Sequence, residues 1–178
     1  MKKILSLIIA ALLFLTAGGC NKGIEPEPEN GLSGQTGFSG KVTFVGNWPA
    51  GVTRTHLFVF KSAIKSSGDF SFLNLSAVID PIPYGSTEFV YNSVEQNYIE
   101  HEFIPEFKIV PGDHAYVVVA QSTNPEISFA RGDWTVVGIY NINGDQSKPK
   151  TLMIQIGKIT TGVDITVDFN NPPAQPPM

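Results

Sequence analysis

Val163-Asp164-Ile165-Thr166-Val167-Asp168-Phe169 alternates apolar and polar residues without a break. In an extended chain successive side chains point to opposite faces. Val163, Ile165, Val167 and Phe169 therefore share one face, and Asp164, Thr166 and Asp168 share the other. This pattern predicts a half-buried strand. Upstream, Ala115-Tyr116-Val117-Val118-Val119-Ala120 is a continuous, mostly β-branched run, the composition of a strand covered on both sides. Thr53 to Phe60 reads the same way, with Leu57 and Val59 facing one side and Phe58 and Phe60 the other. Lys41 to Val45, Thr87 to Tyr91, Tyr98 to Val110, Trp134 to Tyr140 and Thr151 to Ile156 are further candidate strands.

Breaks separate these runs. Asn47-Trp48-Pro49-Ala50-Gly51 ends the first, and Pro111-Gly112-Asp113 predicts a turn, because proline presets φ and glycine accepts a positive φ. Lys61 to Ser86 reads as an irregular segment whose Phe70, Phe72, Leu73, Leu75 and Ile79 pack on the strands. A sustained helical period with caps is missing, and Ser62 to Ser67 could form one turn at most. About seven strands in roughly 130 residues predict an all-β chain, a single antiparallel β-sandwich.

The chain divides into residues 1–19, 20–38, 39–169 and 170–178. Lys2 and Lys3 precede an apolar run from Ile4 to Leu15 that is too short for a membrane-spanning helix of roughly 20 residues. The small residues Ala17, Gly18 and Gly19 follow, which predicts a secretory signal peptide. Glu25-Pro26-Glu27-Pro28-Glu29 and the glycines and serines up to Phe38 predict a flexible linker, on the order of 60 Å when stretched. Residues 170–178 hold Pro172, Pro173, Pro176 and Pro177 and cannot form a strand interior.

Of 12 Lys+Arg, Lys2 and Lys3 fall in the leader, which leaves 10 against 16 Asp+Glu, a net charge of −6. Such a balance argues against nucleic acid, whose partners carry basic patches, and against electrostatic docking on anionic lipid. Cys20 is the single cysteine, so no disulfide within the chain can form and the fold depends on its core.

Few residues carry a pattern that points to chemistry. His56, His101 and His114 are the only histidines and read as surface or edge residues. His101-Glu102 opens like a zinc-protease motif, but Pro105 stands where its second histidine belongs, and the motif needs a helix. Asp164 and Asp168 share a face but lie about 13 Å apart along a strand, beyond the reach of a paired-carboxylate mechanism. Asn141-Ile142-Asn143-Gly144-Asp145 resembles a calcium loop faintly and a hairpin turn more closely. Trp48, Tyr91, Tyr98, Trp134 and Tyr140 could stack on sugars or fill the core, with Trp48, Trp134 and Tyr140 the candidate ligand contacts. The expectation is no catalytic residue, no metal and no cofactor.

Two resemblances add to this. Ala17-Gly18-Gly19-Cys20 resembles the lipobox of bacterial lipoproteins, departing from it in carrying Ala17 where that family usually has leucine. The resemblance implies cleavage between Gly19 and Cys20, a diacylglycerol on the Cys20 thiol and a further fatty acid, such as palmitate, on the new N-terminus. The other reading of the same residues is an ordinary cleaved leader with Cys20 free. Asn21, rather than aspartate, after the cysteine implies the outer membrane of a Gram-negative bacterium. Secondly, Ser39-Gly40-Lys41-Val42-Thr43-Phe44, Pro111-Gly112 leading into Tyr116 to Ala120, and Gly162-Val163-Asp164-Ile165 resemble transthyretin-like, carboxypeptidase-regulatory-like domains. Asn47-Trp48-Pro49, Asp80-Pro81-Ile82-Pro83 and Trp134 to Tyr140 are similar to a lipoprotein branch of that group. That family has tyrosine two residues after the turn glycine, where this chain has His114, with Tyr116 two further on; a bulge or a shifted register would account for it.

The resemblance implies a seven-stranded prealbumin-like fold and an accessory module without peptidase activity. The function expected is that of a lipid-anchored, non-catalytic binding or accessory domain at the outer membrane or cell surface. Its partner would be an envelope protein or a glycan. The alternative is a carbohydrate-binding module of a glycan-capture system.

Overall fold

The computed structural model describes residues 34–178. The expected leader, Cys20 with the expected cleavage point after Gly19, and the expected linker up to Ser33 lie outside the described residues.

Alternation and β-branching produce an all-β fold. The strands are β1 (Gly37–Val45), β2 (Arg54–Phe60), β3 (Leu75–Val78), β4 (Glu88–Asn92), β5 (Gly112–His114), β6 (Tyr116–Ser122), β7 (Thr135–Ile139), β8 (Asn141–Ile142), β9 (Asp145–Pro149), β10 (Leu152–Ile154), β11 (Ile159–Thr160) and β12 (Ile165–Asp168). A short α-helix, α1 (Tyr98–Glu102), lies between β4 and β5. Among the described residues no helix is long and apolar enough to cross a membrane.

Two four-stranded sheets carry the core. In the first, β1 pairs with β4 on one side and with β11 and β12 on the other. The second has the order β3-β2-β6-β7. Pairing is antiparallel except at β1, which runs parallel to β11 and β12. Two small sheets, β5 with β10 and β8 with β9, complete the fold. The expected strand over Thr151 to Ile156 is β10, and the strands outnumber the expected seven because β5, β8 and β11, of two or three residues, are too brief to leave a periodic signal and the polar β9 lacks an apolar face.

Parallel register puts Val42 beside Ile165 and Phe44 beside Val167. These residues join Leu57 and Val59 of β2 and Val117 and Val119 of β6 in one buried cluster. The other face of the second sheet bears its own cluster, in which Phe58, Phe60, Val118 and Ala120 meet Ile64, Phe70, Ile99 and Trp134. The second sheet is therefore apolar on both faces, and this is why all seven residues of β6 are buried. The opposite facings expected for Leu57 and Val59 against Phe58 and Phe60 are those observed. So is the alternation of Val163, Ile165 and Val167, buried, with Asp164 and Thr166, exposed.

Several expectations need correction. Tyr98 to Val110 forms α1 and a loop rather than a strand: Ile99 is the one fully buried residue of α1 and anchors it on the second core. The segment Lys61 to Ser86 contains β3, whose four residues are all buried. Its Leu73 is 86% exposed and does not pack inward. Pro111-Gly112-Asp113 does not form the expected turn. Gly112, at φ +130, already belongs to β5, which pairs with β10, and the chain breaks at Ala115 before β6 pairs with β2. That break separates His114 from Tyr116. The fold also starts before residue 39, since Phe38 is fully buried and its N–H donates to Ser93 Oγ at 2.8 Å.

Residues 170–178 form no strand, yet they are not free of the domain. The Gln175 side-chain amide donates to Val136 O and accepts from Val136 N–H, both at 2.8 Å. One side chain thereby satisfies the exposed edge of β7 in place of a neighbouring strand.

Candidate functional site

The residues singled out by sequence do not converge. Trp134 is 2% exposed and lies in the second core, edge-on to Phe58 at 4.7 Å, with its indole N–H donating to Ser128 O at 2.7 Å. Tyr140 is buried in the first core, with Lys150 Nζ 5.0 Å above its ring. Trp48 is half-buried at the edge of that core, against Phe44 at 4.6 Å and Phe169 at 5.3 Å, its N–H donating to Ser86 O. A sugar-stacking platform needs ring faces open side by side, so Trp48, Trp134 and Tyr140 do not form one. Tyr91 is also internal. Its hydroxyl donates to Val163 O at 2.6 Å, and burial raises its pKa far above the ordinary tyrosine range.

The histidines also depart from expectation. His101 is exposed on α1, but His56 is 0% and His114 2% exposed. His56 Nδ1 donates to Ile79 O at 2.9 Å, which leaves Nε2 unprotonated and, among the described residues, unpartnered beside Tyr98, Phe58 and Trp134. Burial lowers its pKa to about 4. His114 Nδ1 donates to Gly112 O at 3.1 Å, so its Nε2 accepts from the Ser76 hydroxyl at 2.7 Å. A serine bonded to a histidine has the arrangement of a nucleophile and its base. Here both are sealed, Ser76 at 1% exposure, so a substrate carbonyl cannot reach the hydroxyl. The pair ties β3 to β5.

His56 makes stability depend on pH. Its folded-state pKa, about 4, lies below the ordinary 6.5, so on acidification the unfolded chain takes up the proton first. Stability should fall between pH 6.5 and 4 by about 3 kcal/mol, at roughly 1.4 kcal/mol per unit. His114, also lowered by burial, acts with the same sign. Denaturation across this range should show the slope, and His56→Asn, which can still donate to Ile79 O, should reduce it. An unchanged slope in that variant would place the titrating group elsewhere.

On the outer side of β12, Asp164 Oδ1 accepts from the Lys41 N–H at 2.9 Å, and Asp168 Oδ1 accepts from Asn170. These carboxylates thus tie neighbouring backbone and side-chain groups. Asn141 to Asp145 is a hairpin, with positive φ at Asn143 and Gly144 as a two-residue primed turn requires.

A different site emerges at the end of the second sheet. The inward-facing row of β6, Val117 and Val119, continues into Gln121, which pairs with Thr55 on one side and Thr135 on the other. Gln121 is 4% exposed, yet its Nε2 has no hydrogen-bond partner among the described residues. It lines a cleft of about 280 Å³ together with Pro49, Val52, Ser122, Asp133 and Thr135. Thr53 holds one wall, its N–H donating to Ser122 O at 2.9 Å and its hydroxyl to Asn124 O at 2.7 Å. The Ser128 hydroxyl donates to the Asp133 carboxylate. The clue was present in the sequence as a glutamine two residues beyond Val119, a polar side chain at a core-facing position. No known protein family, curated protein or solved structure matches the chain.

Proposed function

We propose that this protein is a lipid-anchored envelope lipoprotein whose transthyretin-like β-sandwich acts as a non-catalytic binding or accessory module. The observation that carries the anchor is the ending of the leader on Ala17-Gly18-Gly19-Cys20, at the only cysteine of the chain. One acyl chain holds a protein marginally and two or more hold it stably, at roughly 0.8 kcal/mol per buried CH₂. Asn21 supports sorting to the outer membrane. The transthyretin-like assignment draws on the strand-bordering residues named above and on two sheets that face each other across one core. The non-catalytic reading draws on the histidines: the two buried ones are neutral groups held by internal hydrogen bonds.

Cys20→Ala should move the protein from the membrane fraction to the soluble fraction of fractionated cells. Retention of the variant in the membrane would show that the anchor lies elsewhere. For the alternative reading, a glycan-binding module, the buried Trp134 and Tyr140 remove an aromatic platform, and the cleft beside Gln121 is the feature that supports it.

A further inference from the structure

We infer that the end of the domain at which residue 34 enters it is a lipid-facing surface, and that Ile156, Val110, Met153, Phe103 and Ile104 seat the sandwich on the bilayer. This deepens the anchored-lipoprotein reading and rests on it, by naming the face turned to the membrane.

The first ground is the place where the chain enters. Gly34 lines a cavity together with Glu100, Lys108 and Ile109. A Cβ on Gly157 would stand 3.8 Å from Gly34 N. The Gly157 N–H donates to Thr36 Oγ1 at 2.9 Å, and the Gly37 N–H donates to Lys158 O at 3.1 Å. Residues 34–37 are thus fastened to residues 157–158 and lie beside the segment that follows α1. In the lipoprotein reading 13 residues, 21–33, separate Cys20 from Gly34, at most about 50 Å of chain.

The second ground is what surrounds that entry. Ile156, next to Gly157, is 81% exposed. Pairing of Ile154 with Gly112 brings Ile156 and Val110 to the same end of the β5–β10 ladder. Val110 is half-exposed, and so is Met153, which faces away from the buried Leu152 and Ile154 of β10. Phe103 and Ile104 are exposed on the turn after α1, where the Phe107 N–H donates to Ile104 O at 2.8 Å just before Lys108. Exposed apolar residues scattered singly need no explanation, but a group of them marks an interaction surface.

The third ground is charge. Glu102, Glu106 and Asp113 are exposed among these residues with Lys108 and Lys158, so the face is not basic and its contact with lipid is apolar. Lys158 can lay its stem along that surface and keep its ammonium among the headgroups. So small an apolar face would not hold a free protein. A tether of this length changes the balance, because it keeps the bilayer at an effective concentration in roughly the millimolar range. A soluble partner has no such advantage, which assigns the face to lipid.

The far end of the domain supplies the control. β1, nine residues and roughly 26 Å from first to last, leads from Gly37 towards Trp48, where Tyr84 is exposed with its ring 5.3 Å from the indole. The full lipidated chain, with a fluorophore on Ile156→Cys or on Tyr84→Cys, is reconstituted in phosphatidylcholine vesicles that contain a nitroxide-labelled lipid. Fluorescence should be quenched at position 156 and not at position 84. Quenching should persist in about 1 M NaCl, where charges are screened within about 3 Å. Addition of Ile104→Ser and Val110→Ser, both at exposed positions, should remove most of the quenching and leave flotation with the vesicles and the unfolding midpoint unchanged. Flotation without quenching at 156, or with equal quenching at both positions, would overturn the inference and leave the anchor standing. So would quenching that salt abolishes, that survives both serine substitutions, or that arises only at high protein density, the mark of a second copy. A lipidated chain that does not float would overturn the anchor, and this inference with it.

Discussion

Gly40→Ala should destabilise the fold by about 3 kcal/mol or more, at the upper end of overpacking effects, and lower the unfolding midpoint accordingly. Gly40 sits in β1 opposite Tyr91 of β4. A Cβ on it would stand 2.2 Å from Val163 O and 2.5 Å from Val163 C, inside any allowed contact. Those are backbone atoms, so no rotamer change relieves the clash. Nor can Val163 retreat easily. Its N–H donates to Ser39 O at 3.1 Å, its carbonyl accepts the Tyr91 hydroxyl, and its side chain is fully buried. Displacing it would weaken these bonds, at about 1 kcal/mol each, and disturb the start of β12. Against a total stability of roughly 5–15 kcal/mol, this is a large fraction. Gly68→Ala is the control: its φ is not positive, and a Cβ there meets only Ser66 Oγ at 3.7 Å. Chemical denaturation of both variants should separate them widely, and a Gly40 variant as stable as the Gly68 variant would mean that β1 and Val163 do not lie this close.

The second large effect concerns neighbours on one strand. Ile165→Ala should cost about 2–5 kcal/mol, the range for a buried isoleucine. Thr166→Ala should stay within about 0.5 kcal/mol, as surface changes do. Ile165 is 2% exposed and packs in the core between the sheets, while Thr166 points to solvent. Gly138 of β7 lies so close to β12 that a Cβ on it would be 3.1 Å from Ile165 Cγ2. The two sheets are therefore in direct contact here, and removal of the isoleucine leaves a void between them. Denaturant midpoints of the two variants check this, and equal losses would contradict the register of β12.

The faces of the long strands are legible in the residues themselves. The alternation of Val163 to Phe169, the two-sided run of β6 and the opposed rows of β2 all depend on a period of two, which is a local property of an extended chain. The expectation of a leader ending at Cys20 is local in the same way, since it draws on consecutive residues alone. Short strands are not. β5, β8 and β11 span two or three residues each, and only a partner strand brought from elsewhere makes them strands. Tyr98 to Val110 misleads because its apolar residues satisfy a strand pattern as readily as a short helix anchored by Ile99.

The candidate site is the least legible part. Gln121 can be noticed as a polar residue in an apolar row, but Pro49, Asp133 and Thr135 come to it from separate parts of the chain, and nothing in their own neighbourhoods marks them. The same holds for the histidines, whose burial follows from what packs over them: Ile79 and Tyr98 over His56, Ser76 beside His114. By itself the sequence determined which side of each long strand is apolar and the all-β class, because these follow from local periodicity. Tertiary structure decided which apolar rows face each other, why Gly40 must lack a side chain and where Gln121 finds a cleft, because those depend on distances between residues far apart in the chain.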